Sequence, residues 1–179
     1  MILFLNGPFG VGKTTVARLL ARKLPHAMLY DPEAIGFVLR RTLGPFTKVE
    51  DYQDYSFWPT LVVGGARLFK TVSGRTLLIP ITMWRRSVFD PVVAGLRRVD
   101  PNLVCFRLTA PREVLVKRIS SDTEDKGAYA WRASHVETCL EAMRDPAFGT
   151  EVRTEGLAPA AVAGRILESL SLDIGWSES

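Results

Sequence analysis

A chain of 179 residues that is 47% hydrophobic and 23% charged holds enough apolar material for one full-sized core and lacks the charge bias of a disordered protein. Its net charge is +4, yet no basic run exceeds two residues and carboxylates are interspersed. That excludes an extended nucleic-acid surface and leaves phosphate handling plus ordinary surface. No stretch nears the ~20 apolar residues of a membrane span, and the first apolar run is too short for a signal peptide. Cys105 lies in an apolar, strand-like run and Cys139 in a helical one, and both read as reduced thiols, so a cytoplasmic protein without stable membrane insertion is expected.

Ile2-Leu3-Phe4-Leu5 reads as a buried parallel strand. It leads into Gly7-Pro8-Phe9-Gly10-Val11-Gly12-Lys13-Thr14, which fits the pattern G-x-x-x-x-G-K-[ST] without a mismatch. The glycines let backbone N–H groups turn toward a polyphosphate, Lys13 reaches its outer phosphates, and the Thr14 hydroxyl suits magnesium. A helix follows, with Val16, Leu19, Leu20 and Leu24 on one face, and its N-terminus adds partial positive charge beside Thr14 and Thr15. Ala27 to Tyr30 is the second strand. Asp31-Pro32 then opens a helix to about Leu43, which Gly44-Pro45 ends. Asp51 to about Val72 is helical, with a kink or break expected at Pro59 and Gly64-Gly65.

Thr76 to Thr82 forms the third strand, Ser87 to Arg98 a helix, and Leu103 to Leu108 the fourth strand. Pro111 opens a helix bearing Val114, Leu115 and Ile119. Residues 120 to 127 are polar and lack apolar periodicity, a further helix runs to about Met143, and the whole stretch from about 120 to 145 reads as a lid. Thr150 to Arg153 is a short strand, and Pro159 opens the last helix. Strands alternating with helices predict an α/β, three-layer P-loop fold with a five-stranded parallel sheet, in one domain spanning 1–179.

The carboxyl ends of such strands carry the chemistry. Asp31, at the end of the second strand, is placed to take a proton from an acceptor hydroxyl or to share in holding magnesium; it is equally placed to cap the following helix. The third strand ends Ile79-Pro80-Ile81-Thr82-Met83-Trp84 without a carboxylate, which argues against an AAA-type ATPase of the usual design and leaves Thr14, Asp31, Thr82 and water for the metal. Trp84 either stacks on a flat ring or packs under a loop, and Arg85 or Arg86 can grip an anionic group. Among the lid-side cations, Arg118 and then Arg132 are the candidates to neutralise a transferring phosphoryl group.

With these residues in view, the chain resembles the tunicamycin-resistance proteins, a bacterial branch of P-loop kinase-like proteins. The likeness rests on Asn6 through Thr14, Tyr30-Asp31-Pro32-Glu33 with Gly36-Phe37 and Leu39-Arg40, Asp51-Tyr52-Gln53-Asp54-Tyr55 with Trp58, and Ile79 through Thr82. The resemblance implies a nucleoside-kinase-like fold, ATP with magnesium as cofactors, and protection against tunicamycin, a uracil nucleoside with amino sugars and an acyl chain. It implies that Asp31 lies beside the phosphoryl acceptor. By likeness to small phosphotransferases, Arg153-Thr154 with Leu157 and Pro159 forms the adenine-side loop, and the segment from Asp51 to Trp58, including Gln53, walls the acceptor site with Trp84. The expected activity is ATP-dependent transfer to a hydroxyl of a small molecule, tunicamycin or a nucleotide-sugar-like compound. The alternatives are an antibiotic-sequestering ATP-binding protein and a regulatory switch; the latter lacks a guanine-reading N-K-x-D motif, since the only asparagines are Asn6 and Asn102.

Overall fold

Five parallel strands form the centre of the molecule, in the order β2-β3-β1-β4-β5, in a computed structural model that describes residues 1–43, 51–122 and 129–174. The strands are β1 (Ile2–Asn6), β2 (Ala27–Leu29), β3 (Thr76–Pro80), β4 (Leu103–Thr109) and β5 (Thr150–Arg153). The helices are α1 (Lys13–Lys23), α2 (Pro32–Leu43), α3 (Trp58–Ser73), α4 (Arg86–Val99), α5 (Arg112–Ser120), α6 (Tyr129–Ser134), α7 (Val136–Ala142) and α8 (Pro159–Ile174). β1 is flanked on both sides, with Phe4 in register with Ile79 of β3 and with Cys105 of β4.

The side-chain period of two divides β1 between two cores. Leu3 and Leu5 pack with Val16, Leu20, Leu115, Ile119, Val162 and Ile166 under α1, α5 and α8. Ile2 and Phe4 pack with Trp58, Val62, Phe89, Val92 and Leu96 under α3 and α4. These are the three layers read from the strand and helix alternation.

Two boundaries differ from the sequence expectation. The segment from Asp51 is not one kinked helix. It is a single 3-10 turn, Tyr52–Asp54, followed by α3, which begins at Trp58 with Pro59 in its first turn and runs unbroken through Gly64-Gly65. Pro59 starts the helix because its missing N–H falls where no partner is needed. Gly65 is there for contact: a Cβ would fall 2.3 Å from the Tyr30 hydroxyl oxygen, and that hydroxyl donates to the Val62 carbonyl at 2.8 Å. The expected helix up to Met143 is two short ones, α6 and α7, divided at His135. The expected stop at Gly44-Pro45 and residues 123–128 of the expected lid lie outside the described residues.

Candidate active site

A cleft of about 730 Å³ opens at the carboxyl end of β1, lined by the loop from Phe9 to Thr15, Glu33, Thr82, Arg118, Arg132, Thr154 and the start of α8. A second depression of about 550 Å³ lies over β4 and β5 beside α4. The first is the candidate site, because there a glycine loop, a helix N-terminus and charged groups converge.

The loop is held from both sides. Gly7, at φ 150°, passes so near β4 that a Cβ would sit 2.5 Å from the Leu108 carbonyl oxygen. Gly12 precedes α1 at φ 97° with no side-chain cap, which leaves the first turn of α1 facing the cleft. Asn6 ties β1 to the end of β3: its carboxamide oxygen accepts from Gly7 N–H at 2.8 Å and Met83 N–H at 2.9 Å, while its Nδ2 donates to the Met83 carbonyl at 2.8 Å. Lys13 folds back over the loop and donates to the Gly7 and Pro8 carbonyls, each at 2.9 Å. Burial pushes its ammonium down to about 8.

The carboxylate in the cleft wall is Glu33, two residues beyond the one favoured from sequence. Asp31 is exposed and does not line the cleft; its Oδ1 accepts from Glu33 N–H at 2.9 Å, an N-terminal cap of α2. One half-turn into α2, Glu33 lines the cleft with Lys13 and Thr82, and the Lys13 charge and the Thr82 backbone favour its ionised form. Desolvation raises its proton affinity, and the charge of Lys13 opposes that shift. Tyr-Asp-Pro-Glu held the signal for Glu33: in a helix that starts at Pro32, the second helical position faces the strand ends, while the cap residue turns its side chain back onto the backbone.

Thr82 is fully buried and lines the cleft, and its hydroxyl has no hydrogen-bond partner among the described residues. Gln53 is buried behind it, donating from Nε2 to the Thr82 carbonyl at 2.9 Å, with its Oε1 unpaired among the described residues. Gln53 is therefore a support for Thr82, fixed in turn by Asp51, whose carboxylate accepts from Gln53 N–H at 2.9 Å. Trp58 does not wall the site: it is fully buried at the start of α3 because its ring fills the core beside Tyr30 and Val62. Trp84 belongs to an aromatic group with Phe9 at 6.2 Å, Trp131 at 6.2 Å and His135 at 5.5 Å, so it backs the cleft through Phe9 and does not line it. Arg85 is paired with Asp51 at 3.4 Å and with Asp54, and Arg86 with Asp90 and Asp145, each at 2.8 Å. Their charge is already matched outside the cleft lining.

On the other side, Arg118 donates to the Thr154 hydroxyl at 3.1 Å, the Thr154 carbonyl at 3.2 Å and the Val11 carbonyl at 3.4 Å. It bridges the glycine loop and the turn after β5. Thr154 is buried there and donates its N–H to Thr109 at 2.8 Å. Arg153 points away, exposed and 3.5 Å from Glu151. Arg132 of α6 lines the cleft and pairs with Asp122 at 3.1 Å. Thr14 and Thr15 are exposed in the cleft floor. Among the described residues no three His, Cys, Asp or Glu side chains cluster as metal ligands; Thr14 lines the cleft and would hold a magnesium ion together with phosphate oxygens and water, whereas Asp31 is outside the lining.

A family profile described as an AAA domain matches residues 2–146. No curated protein sequence matches the chain significantly. Among solved structures, the tunicamycin resistance protein of Deinococcus radiodurans is similar at 25% identity and TM-score 0.74, over 98% of this chain and 96% of that one. A sugar kinase from a Janibacter species is similar at 20% identity and TM-score 0.69, over 99% and 98% of the two chains. A gluconokinase from Sinorhizobium meliloti is similar at 20% identity and TM-score 0.61, over 97% and 96%. The likeness to tunicamycin-resistance proteins read from the motifs is thus a likeness of structure as well. β3 ends without a carboxylate, as expected from the sequence, and the domain that the profile matches is P-loop kinase-like. The fold is that of P-loop kinases, a nucleotide-binding fold, and no helix among the described residues is long and apolar enough to cross a membrane.

Proposed function

The chain belongs to the family described as an AAA domain, and from that premise we propose that it is an ATP-dependent phosphotransferase acting on a hydroxyl of a small molecule. The observation that carries this reading is the pair of Lys13 and Glu33 in one cleft wall, a cation for the transferring phosphoryl group facing a desolvated carboxylate for the acceptor. ATP with magnesium supplies the electrophilic phosphorus and the charge neutralisation. Lys13 and the amides at the start of α1 would bind the phosphates, and the Thr14 hydroxyl would hold the magnesium ion, which neutralises phosphate charge. Arg118 and Thr154 flank the nucleotide end, and Arg132 approaches from α6. Glu33 accepts the proton of the acceptor hydroxyl, whose oxygen bonds to phosphorus as the bond to the bridging oxygen breaks and ADP leaves. The unpaired Thr82 hydroxyl is available to the acceptor beside Glu33.

For the acceptor we favour a neutral hydroxyl compound such as tunicamycin or a related uracil nucleoside. The similarity to the Deinococcus radiodurans protein supports the compound class, and the ion pairs that occupy Arg85 and Arg86 weigh against a charged nucleotide sugar. Mass spectrometry after incubation with ATP, magnesium and a panel of nucleosides, nucleotide sugars and tunicamycin tests the reading. A neutral panel member should gain one phosphoryl group. Tight binding of tunicamycin with no mass change would replace it with sequestration.

A further inference from the structure

Two buried polar atoms at the end of β3 lack the hydrogen bonds that their burial demands. The Thr82 hydroxyl oxygen and Gln53 Oε1 have no partner among the described residues, on side chains 0% and 5% exposed. Leaving such atoms unpaired costs stability. Small rearrangements do not cure it. Gln53 must present Nε2, its donor end, to the Thr82 carbonyl at 2.9 Å, which turns the oxygen end elsewhere. Thr82 is pinned through its neighbours: Ile81 N–H donates to the Leu5 carbonyl at 3.0 Å, and Met83 bonds to Asn6 through both its N–H and its carbonyl. A β-branched side chain on a fixed backbone has few rotamers to try. Of the two residues, Thr82 lines the cleft and Gln53 does not, so Thr82 is the one that a ligand meets.

The charges around Thr82 select the chemistry of that ligand. Thr82 bounds the cleft together with Lys13, Glu33 and Arg132. The Glu33 carboxylate repels an anionic group, and Lys13 and Arg132, whose charges both act on Glu33, disfavour an ammonium. A neutral hydroxyl suits both oxygen groups, because it donates to a carboxylate and either donates to or accepts from another hydroxyl. The Thr82 backbone acts directly on the Glu33 carboxylate, which sets the hydroxyl of the same residue beside that carboxylate. Two neighbouring hydroxyls of one ligand match two neighbouring oxygen groups of the wall.

We propose that Thr82 is the subsite for a second hydroxyl of the acceptor, so that the protein selects neutral compounds with two hydroxyls on adjacent ring carbons, one held at Glu33 and the next hydrogen-bonded to Thr82 Oγ1. This rests on the reading of the cleft as the acceptor's site and adds the substrate class: a sugar ring with an intact vicinal diol, in place of an isolated alcohol. Thr82 touches the acceptor and sets specificity. Gln53 is a positioning residue, holding the Thr82 carbonyl from behind.

Calorimetric binding with a non-hydrolysable ATP analogue and magnesium present tests it, since binding does not depend on turnover. The probes are uridine with its 2′-deoxy and 3′-deoxy forms, and N-acetylglucosamine with its 3-deoxy and 4-deoxy forms. At least one parent diol should bind the wild type, and a deoxy form of it about tenfold or more weakly. Thr82→Ser keeps the hydroxyl and should keep that discrimination. Thr82→Val keeps the shape alone; it should bind diol and deoxy forms alike and, relieved of an unpaired hydroxyl, melt about 2–4 °C higher without ligand. No binding of either diol to the wild type, equal binding of diol and deoxy forms there, or discrimination that survives Thr82→Val would each overturn the proposal. So would a ligand-free Thr82→Val that melts lower, which would mean that the hydroxyl already has a bond within the fold, or a variant that loses only the magnesium dependence of analogue binding, which would give the hydroxyl to the metal. Thr82-dependent discrimination without phosphoryl transfer to the bound diol would uphold the subsite and end the phosphotransferase reading. Transfer to an isolated alcohol, unaffected by Thr82→Val, would do the reverse.

Discussion

Lys13 donates its ammonium protons to two loop carbonyls, and those bonds are what a polyphosphate would displace. Because burial holds the group down to about 8, a bound polyphosphate, which raises it again, takes up a proton at alkaline pH. Affinity for a non-hydrolysable ATP analogue should therefore be flat below about pH 8 and fall above it, with proton uptake measurable by calorimetry in buffers of different ionisation heat. Lys13→Ala should cost about 1.5–3 kcal/mol of binding and abolish that alkaline loss. An equal alkaline fall in the variant would assign the titration to another group. Glu33 sets the opposite limb. Its raised proton affinity means that the carboxylate is lost on acidification at a pH above the ordinary glutamate range, so turnover should fall there first. If the acid limb in a kcat profile lies at or below that range, Glu33 is not the titrating base.

At the scale of the element, α3 places a sharp contrast in two adjacent glycines. Gly65→Ala drives a methyl into the Tyr30 ring, which is buried and hydrogen-bonded to Val62; overpacking of about 1–3 kcal/mol outweighs the gain of about 1 kcal/mol in helix propensity. Gly64→Ala meets nothing and keeps only the gain. Denaturant unfolding of dilute protein should show the first destabilised and the second stabilised, and the same sign for both would contradict the account of why α3 carries glycines. This is also where sequence reading ran short. Gly64-Gly65 looked like a break because propensity is local, while the contact that needs Gly65 comes from the end of β2, 35 residues away in the chain. The same limit separated Asp31 from Glu33: the motif was legible, but which of its two carboxylates faces the loop depends on where α2 starts and how it sits on the sheet. Trp58 was misread for a related reason, since an aromatic residue beside a site and one beneath it have the same local sequence.

Over the whole molecule, the parallel five-stranded sheet and the three layers were legible because strands alternating with helical crossovers leave few arrangements for a chain of this length, whereas the order β2-β3-β1-β4-β5 came from the structure. Phe9 to Thr15, Thr82, Arg118, Arg132 and Thr154 do meet in one cleft, whereas Gln53, Trp58, Trp84, Arg85 and Arg153 lie outside its lining. What the strands assemble is a glycine loop, a lysine and a carboxylate at a single switch between β1 and β3, and the central claim is that this carboxylate is Glu33. The most direct test is single-turnover phosphoryl transfer to an accepted small molecule by the wild type, Glu33→Gln and Asp31→Asn, with melting temperatures measured beside it. Glu33→Gln should lose about two to four powers of ten while remaining folded, and Asp31→Asn, which retains most of the α2 cap, should keep activity within about tenfold. Full activity in Glu33→Gln with collapse in a folded Asp31→Asn would contradict the account.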